Sequence, residues 1–123
     1  MSQNKGSILV VDDQLGVRRL MLETFKAEGF SVQTASSGQE ALEKIRECPP
    51  GLILLDMKMP GMNGLETLRE IKKINPAQVV IMMTAYEELE VVAEAVKLGV
   101  KEYITKPCDI NELKVLVSEA MLG

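Results

Sequence analysis

Four short apolar runs punctuate the chain, and each ends in a residue with pointed chemistry. Ile8-Leu9-Val10-Val11 runs into Asp12-Asp13, and Leu52-Ile53-Leu54-Leu55 into Asp56. Val79-Val80-Ile81-Met82-Met83 runs into Thr84, and Tyr103-Ile104-Thr105 into Lys106-Pro107. Continuous apolar runs of this length, bounded by turn residues, predict strands buried on both faces, as in a parallel sheet. A fifth segment, Ser31–Ala35, alternates polar and apolar positions and reads as an edge strand.

Helical periodicity fills the gaps. Residues 15–28 place Val17, Leu20, Met21, Thr24 and Phe25 on one face, and Gly29 stops the helix. Ser37 and Glu40 have capping-box spacing and open a second helix, with Ala41, Leu42 and Ile45 inward and Pro49-Pro50 at its end. A loop, Met59-Pro60-Gly61-Met62-Asn63-Gly64, precedes a third helix with Leu65, Leu68 and Ile71 inward. The fourth spans residues 87–98, with Val92, Ala95 and Val96 on one face and Gly99 as its cap. Asp109 and Glu112 suggest another capping box, opening a fifth helix with Ile110, Leu113, Val117 and Ala120 inward.

Strict strand–helix alternation predicts an α/β fold: parallel strands, right-handed crossovers and helices on both faces. A length of 123 residues suits one domain, here residues 1–123, without linker or repeat and with no segment left for an output domain. A net charge of -4 and the lack of a basic run argue against nucleic-acid binding. No apolar stretch approaches a membrane span. Cys48 and Cys108 lack metal spacing and fit reduced thiols in a cytoplasmic protein. Histidine is absent, so any phosphohistidine must come from a partner.

Ligands of open α/β sheets bind outside the carboxyl ends of the strands. There the runs deliver three carboxylates, a hydroxyl and an ammonium, the kit for a divalent cation and a phosphoryl group. Asp12, Asp13 and Asp56 repel one another unless a hard cation intervenes, and Mg²⁺ takes oxygen ligands at roughly 2.0–2.1 Å. Asp13 could instead simply cap the first helix. Asp56 can act as a nucleophile toward phosphorus, giving an acyl phosphate, or be no more than an acid opening a loop. Thr84 can donate a hydrogen bond to a phosphoryl oxygen, and Lys106 can offer it a compact cation. A cis bond at Lys106-Pro107 would aim the lysine into the crevice; the alternative is a trans turn. Tyr103 reads either as a half-buried aromatic or as a two-position rotamer coupled to the site.

The set Val10-Val11-Asp12-Asp13, Leu54-Leu55-Asp56-Met57-Lys58-Met59-Pro60-Gly61, Met83-Thr84-Ala85 and Tyr103-Ile104-Thr105-Lys106-Pro107 resembles the receiver domain of two-component response regulators, along the whole chain. The resemblance implies a flavodoxin-like fold with strand order 2-1-3-4-5. It implies Asp56 as phosphoacceptor and Mg²⁺ held by Asp12, Asp13, Asp56 and the Lys58 carbonyl. Thr84 and Lys106 would hold phosphoryl oxygens, and Thr84 and Tyr103 would form the switch. The stretches Asp12-Asp13-Gln14-Leu15-Gly16-Val17-Arg18, Asp56-Met57-Lys58 and Thr84-Ala85-Tyr86-Glu87-Glu88-Leu89 are most similar to the single-domain phosphorelay regulators of sporulating bacteria. Such a relay takes a phosphoryl group from a sensor histidine kinase and passes it to a histidine phosphotransferase, with an aspartyl-phosphate phosphatase as a further partner. Tyr103 departs from that subfamily, where a histidine is expected. Lys58 and Tyr86, flanking the path of attacking water, would slow hydrolysis.

Leu15 and Leu22 lie off the first helix's core face and suggest a partner surface, although scattered surface leucines are ordinary. By resemblance, Gln14, Leu15, Gly16, Val17, Leu20, Pro107, Cys108 and Ile110 would meet a four-helix histidine bundle. Two other readings compete. A Mg²⁺-dependent phosphohydrolase would want a second acid two residues after the nucleophile, where this chain has Lys58. A chemotaxis-like or transcription-factor receiver would signal through a binding surface of the fourth helix, fifth strand and fifth helix. A nucleotide site is excluded by the absence of a glycine-rich phosphate loop after the first strand.

Overall fold

The computed structural model describes residues 6–59, 63–85, 89–106 and 109–122. Five strands alternate with five helices: β1 (Ser7–Val11), α1 (Leu15–Ala27), β2 (Ser31–Ala35), α2 (Gly38–Glu47), β3 (Leu52–Asp56), α3 (Gly64–Ile74), β4 (Val79–Ala85), α4 (Leu89–Lys97), β5 (Glu102–Lys106) and α5 (Ile110–Leu122). The strands form one parallel sheet in the order β2-β1-β3-β4-β5. This is the expected order, and β2 stands at an edge as its alternation predicts.

Strand alternation separates two cores. Leu9, Val11, Ile53, Leu55, Val80 and Met82 face one side, where Ala41, Leu42 and Ile45 of α2, Leu68 and Ile71 of α3, and Ala95 of α4 cover them. Ile8, Val10, Leu52, Leu54, Ile81, Met83 and Ile104 face the other, against Met21 and Phe25 of α1 and Leu113, Val117 and Ala120 of α5. The two phenylalanines, Phe25 and Phe30, meet edge to face with centroids 6.0 Å apart. Each fully buried leucine or isoleucine contributes about 2 kcal/mol of transfer free energy, so strands buried on both sides hold the sheet rigidly.

The helix ends follow their local chemistry. Gly29, at φ +101, ends α1, where its amide bonds the Lys26 carbonyl and the Phe30 amide reaches back to Phe25. Ser37 accepts from the Glu40 amide as expected, but the Glu40 carboxylate turns to the Ser36 amide and hydroxyl, so the box is only half made. A full capping box forms within the stretch expected as loop: Asn63 and Glu66 bond reciprocally at the start of α3. Asp109 caps α5 by accepting from the Asn111 amide, not through the expected pairing with Glu112.

Two core expectations need correction. Leu20 is 54% exposed, because the buried stripe of α1 runs through Met21 and Phe25 and leaves Leu20 about 100° away, one residue step on the helix. Val96 is likewise 56% exposed, with Ala95 buried in its place and Val91, Val92 and Leu98 packed beside it. The described part of α4 starts at Leu89, and residues 86–88 lie outside the described set.

Candidate functional site

The strand order reverses between β1 and β3, so the carboxyl ends of these two strands flank the natural ligand crevice. Register carries Asp12 and Asp56 there: Val11 pairs with Leu55, and each acid follows. Asp56 pairs with Met83 of β4, one residue before Thr84, and β5 brings Lys106 opposite Ala85. A crevice of about 260 Å³ opens between Asp13, Gln14, Asp56, Lys58 and Lys106. Larger hollows, of about 330 and 390 Å³, lie at the amino ends of β1 and β2 and beside β5 and α5, but neither gathers three acids.

Asp12, Asp13 and Asp56 each offer a carboxylate oxygen, all within 4.8 Å of one another. Asp12 is wholly buried and Asp56 nearly so, whereas Asp13 is exposed at the mouth. Every polar group of Asp12 has a partner. Its amide donates to the Ala35 carbonyl at 3.1 Å, Oδ1 accepts from the Gln14 amide at 2.9 Å, Oδ2 accepts from Lys106 Nζ at 2.9 Å, and its carbonyl accepts from Arg18 Nη1 at 2.7 Å. Asp56 Oδ1 accepts weakly from the Lys58 amide at 3.3 Å and faces Lys106 Nζ at 3.4 Å.

The electrostatics follow from burial. Desolvation first, and the charge of Asp12 second, push the Asp56 carboxyl above its ordinary range despite the pull of Lys106. Burial works against the Lys106 ammonium, but the hydrogen bond to Asp12 and the charges of Asp56 and Asp12 outweigh it and raise its pKa. Three carboxylates thus cluster around one ammonium, Lys106, and all the atoms they offer are hard oxygens. Both features fit a small divalent cation of the Mg²⁺ kind better than a transition metal.

Thr84 is buried at the end of β4. Tyr103 is 46% exposed and shares its sheet-face register with Met82 and Thr84, opposite to Ile104, which is buried against α5. Of the expected docking residues, Gln14, Leu15, Gly16 and Leu20 are exposed along α1 and its approach, while Val17 and Ile110 are partly buried against the core. Leu22, also expected off the core face, is half-buried. Tyr86, Pro107 and Cys108, and with them the expected cis bond, lie outside the described residues.

Two contributors escape the sequence reading. Arg18 reaches back to the Asp12 carbonyl, and nothing in the residue pattern signals that contact. Gly64 allows α3 to start against the peptide that follows Asp56: a Cβ there would meet Met57 Cα at 2.4 Å. The Asn63-to-Glu66 spacing was a usable sign that a helix starts at Gly64.

No helix among the described residues is long and apolar enough to cross a membrane. The model of the response regulator receiver domain matches residues 8–118. The sporulation initiation phosphotransferase F of Bacillus subtilis is 44% identical over 112 residues, covering 91% of this chain and 90% of that protein. The transcriptional regulatory protein ZraR of Klebsiella oxytoca is 40% identical over 98% of this chain, which spans just 27% of that longer protein. Among solved structures, a CheY-like receiver domain protein from Methanospirillum hungatei superposes with a TM-score of 0.90 at 32% identity, covering 94% of this chain and 92% of that one. A receiver domain protein from Clostridium thermocellum gives 0.88 at 35% identity, with 94% and 93% covered. A sheet whose switch point gathers three acids and a lysine, in a chain matched almost end to end by that model, belongs to the response regulator receiver domain family.

Proposed function

We propose that the chain is a phosphoryl relay whose acceptor is Asp56. The observation that carries this reading is the pairing of a buried carboxylate at the end of β3 with Lys106 at 3.4 Å and with two further acids whose oxygens lie within 4.8 Å. One oxygen of Asp56 attacks the phosphorus of a phosphohistidine on a sensor histidine kinase. The P–N bond breaks, the imidazole keeps its electron pair, and an acyl phosphate forms. Asp13 and Asp56, with Asp12 and the Lys58 carbonyl, would hold a Mg²⁺ ion, which would supply positive charge to offset that of the carboxylates and the phosphoryl group. Lys106 exchanges part of its contact with Asp56 for a phosphoryl oxygen while keeping Asp12, and the Thr84 hydroxyl donates to another. The switch is a shift in population, with Thr84 and Tyr103 as its moving parts.

Passage of the group onward to a histidine phosphotransferase, in control of sporulation, is supported by similarity to the Bacillus subtilis phosphotransferase over nine-tenths of both chains. The docking face would be Gln14, Leu15, Gly16, Val17 and Leu20 with Pro107, Cys108 and Ile110. An aspartyl-phosphate phosphatase would meet the same rim, and the cytoplasm is the fitting location. A second reading, a receiver that signals through α4, β5 and α5, is favoured by the exposure of Tyr103 and by the longer transcriptional regulators among the relatives.

Intact mass after incubation with Mg²⁺ and acetyl phosphate tests the acceptor. One added phosphoryl group in the parent but not in Asp56→Asn is expected; equal labelling of both sinks the assignment. Transfer from the phosphorylated chain to a histidine phosphotransferase, against none, then separates relay from switch.

A further inference from the structure

We propose that Arg18 is a positioning residue for the acid cluster: its guanidinium clasps the Asp12 carbonyl and so fixes the direction in which Asp13 presents its carboxylate. The inference rests on the cation reading given above. Asp13 is the exposed member of the trio, and among the described residues its side chain makes no hydrogen bond or ion pair. With no such contact to place it, the backbone alone sets the Cα–Cβ direction from which the carboxylate is presented. The carbonyl of Asp12 lies in the same rigid peptide plane as the Asp13 amide, so whatever holds that carbonyl sets the tilt of the Asp13 backbone. What holds it is Arg18 Nη1, at 2.7 Å.

The clasp has two jaws. The Arg18 backbone amide donates to the Gln14 carbonyl at 3.1 Å, as the first turn of α1 requires, while its side chain reaches past that turn to Asp12. The turn needs such a device. Gln14 provides no side-chain cap, and no acid occupies the first turn. The loop that carries Asp13 is thus closed from the helix side by the Arg18 guanidinium and by the Gln14 amide, which donates to Asp12 Oδ1, and from the strand side by the Asp12 amide, which donates to the Ala35 carbonyl.

Charge alone predicts the opposite effect. A guanidinium beside a cation site repels the cation, so its removal by itself tightens Mg²⁺ binding. Loss of the clasp weakens it, because supporting partners of ligands typically carry about 10-fold or more in metal affinity. The sign of the change therefore separates the two roles.

The test compares the full chain with Arg18→Met, which keeps the apolar stem, and Arg18→Lys, which keeps a charged donor. Without metal, the Asp12 carbonyl ¹³C resonance should move upfield in Arg18→Met and recover in part in Arg18→Lys. An unmoved resonance overturns the clasp whether or not metal binds. With Mg²⁺ titrated calorimetrically and no phosphodonor present, affinity should fall about 10-fold in Arg18→Met and less in Arg18→Lys. Unchanged or tighter binding overturns the positioning role. A parent that gives no Mg²⁺ response overturns the cation reading and with it the positioning role, and the carbon resonance still decides the clasp.

Discussion

The ammonium of Lys106 sits 2.9 Å from Oδ2 of Asp12, a carboxylate with no exposed surface. A buried charge whose partner is removed is costly, whereas an exposed pair is worth little. Lys106→Met should therefore destabilise the metal-free protein by ~3 kcal/mol, read from urea unfolding. A loss below about 0.5 kcal/mol would mean that the Lys106–Asp12 contact is worth no more than an exposed pair.

Asp56 sets a pH dependence of known sign. Its carboxyl titrates above the ordinary range because of burial and then the charge of Asp12. The folded state thus binds a proton more readily than the unfolded chain. Its contribution to stability is full below the unfolded carboxylate pKa and is lost as pH rises through the raised folded value. Asp56→Asn removes this loss. In EDTA, the variant should match the parent in acid and become the more stable of the two as pH climbs past the carboxylate range. Unfolding curves at a series of pH values check it, and a gap that narrows as pH rises would contradict the assigned shift.

Cation binding should reverse that penalty. A ligand that binds just the folded state adds about 2.7 kcal/mol when present at 100 times its dissociation constant. The melting temperature of the parent should rise with Mg²⁺, and Asp13→Asn should blunt the rise, since Asp13 is the exposed arm of the trio. Equal shifts in parent and variant would remove Asp13 from the ligand set.

Gly64 should tolerate no side chain. An alanine Cβ would press on Met57 backbone, which cannot swing away as a flexible side chain would. Gly64→Ala should cost ~2 kcal/mol and slow acetyl phosphate labelling by moving the residue next to Asp56. Asn63→Ala, which loses the cap but adds no clash, should cost ~1 kcal/mol and leave the labelling rate near the parent's. Equal effects on labelling would mean that the cap, and not the close approach, orders this corner.

The acids at the strand ends were legible because a strand buried on both faces must be apolar until it leaves the sheet. Asp12 and Asp56 therefore announce where β1 and β3 stop. Leu20 and Val96 misled because a helical stripe blurs at its edges: a residue one step from the centre of the buried face is apolar without being covered. The box at Asn63 is masked in the sequence, because the preceding proline and glycine make the whole stretch read as loop. The Arg18 contact had no sequence signal at all, since a long side chain can reach many carbonyls and only the path of the backbone selects one.

All five residues of β3 are buried, and strands flank it on both sides. The proposed acceptor is the last residue of this most confined element, and it cannot travel. A group added there must be met by its neighbours, so rearrangement falls to the loops and to the ends of β4 and β5. The fixed point of the molecule is the place where the signal would be written, and what reads it must come from the parts that are free to yield.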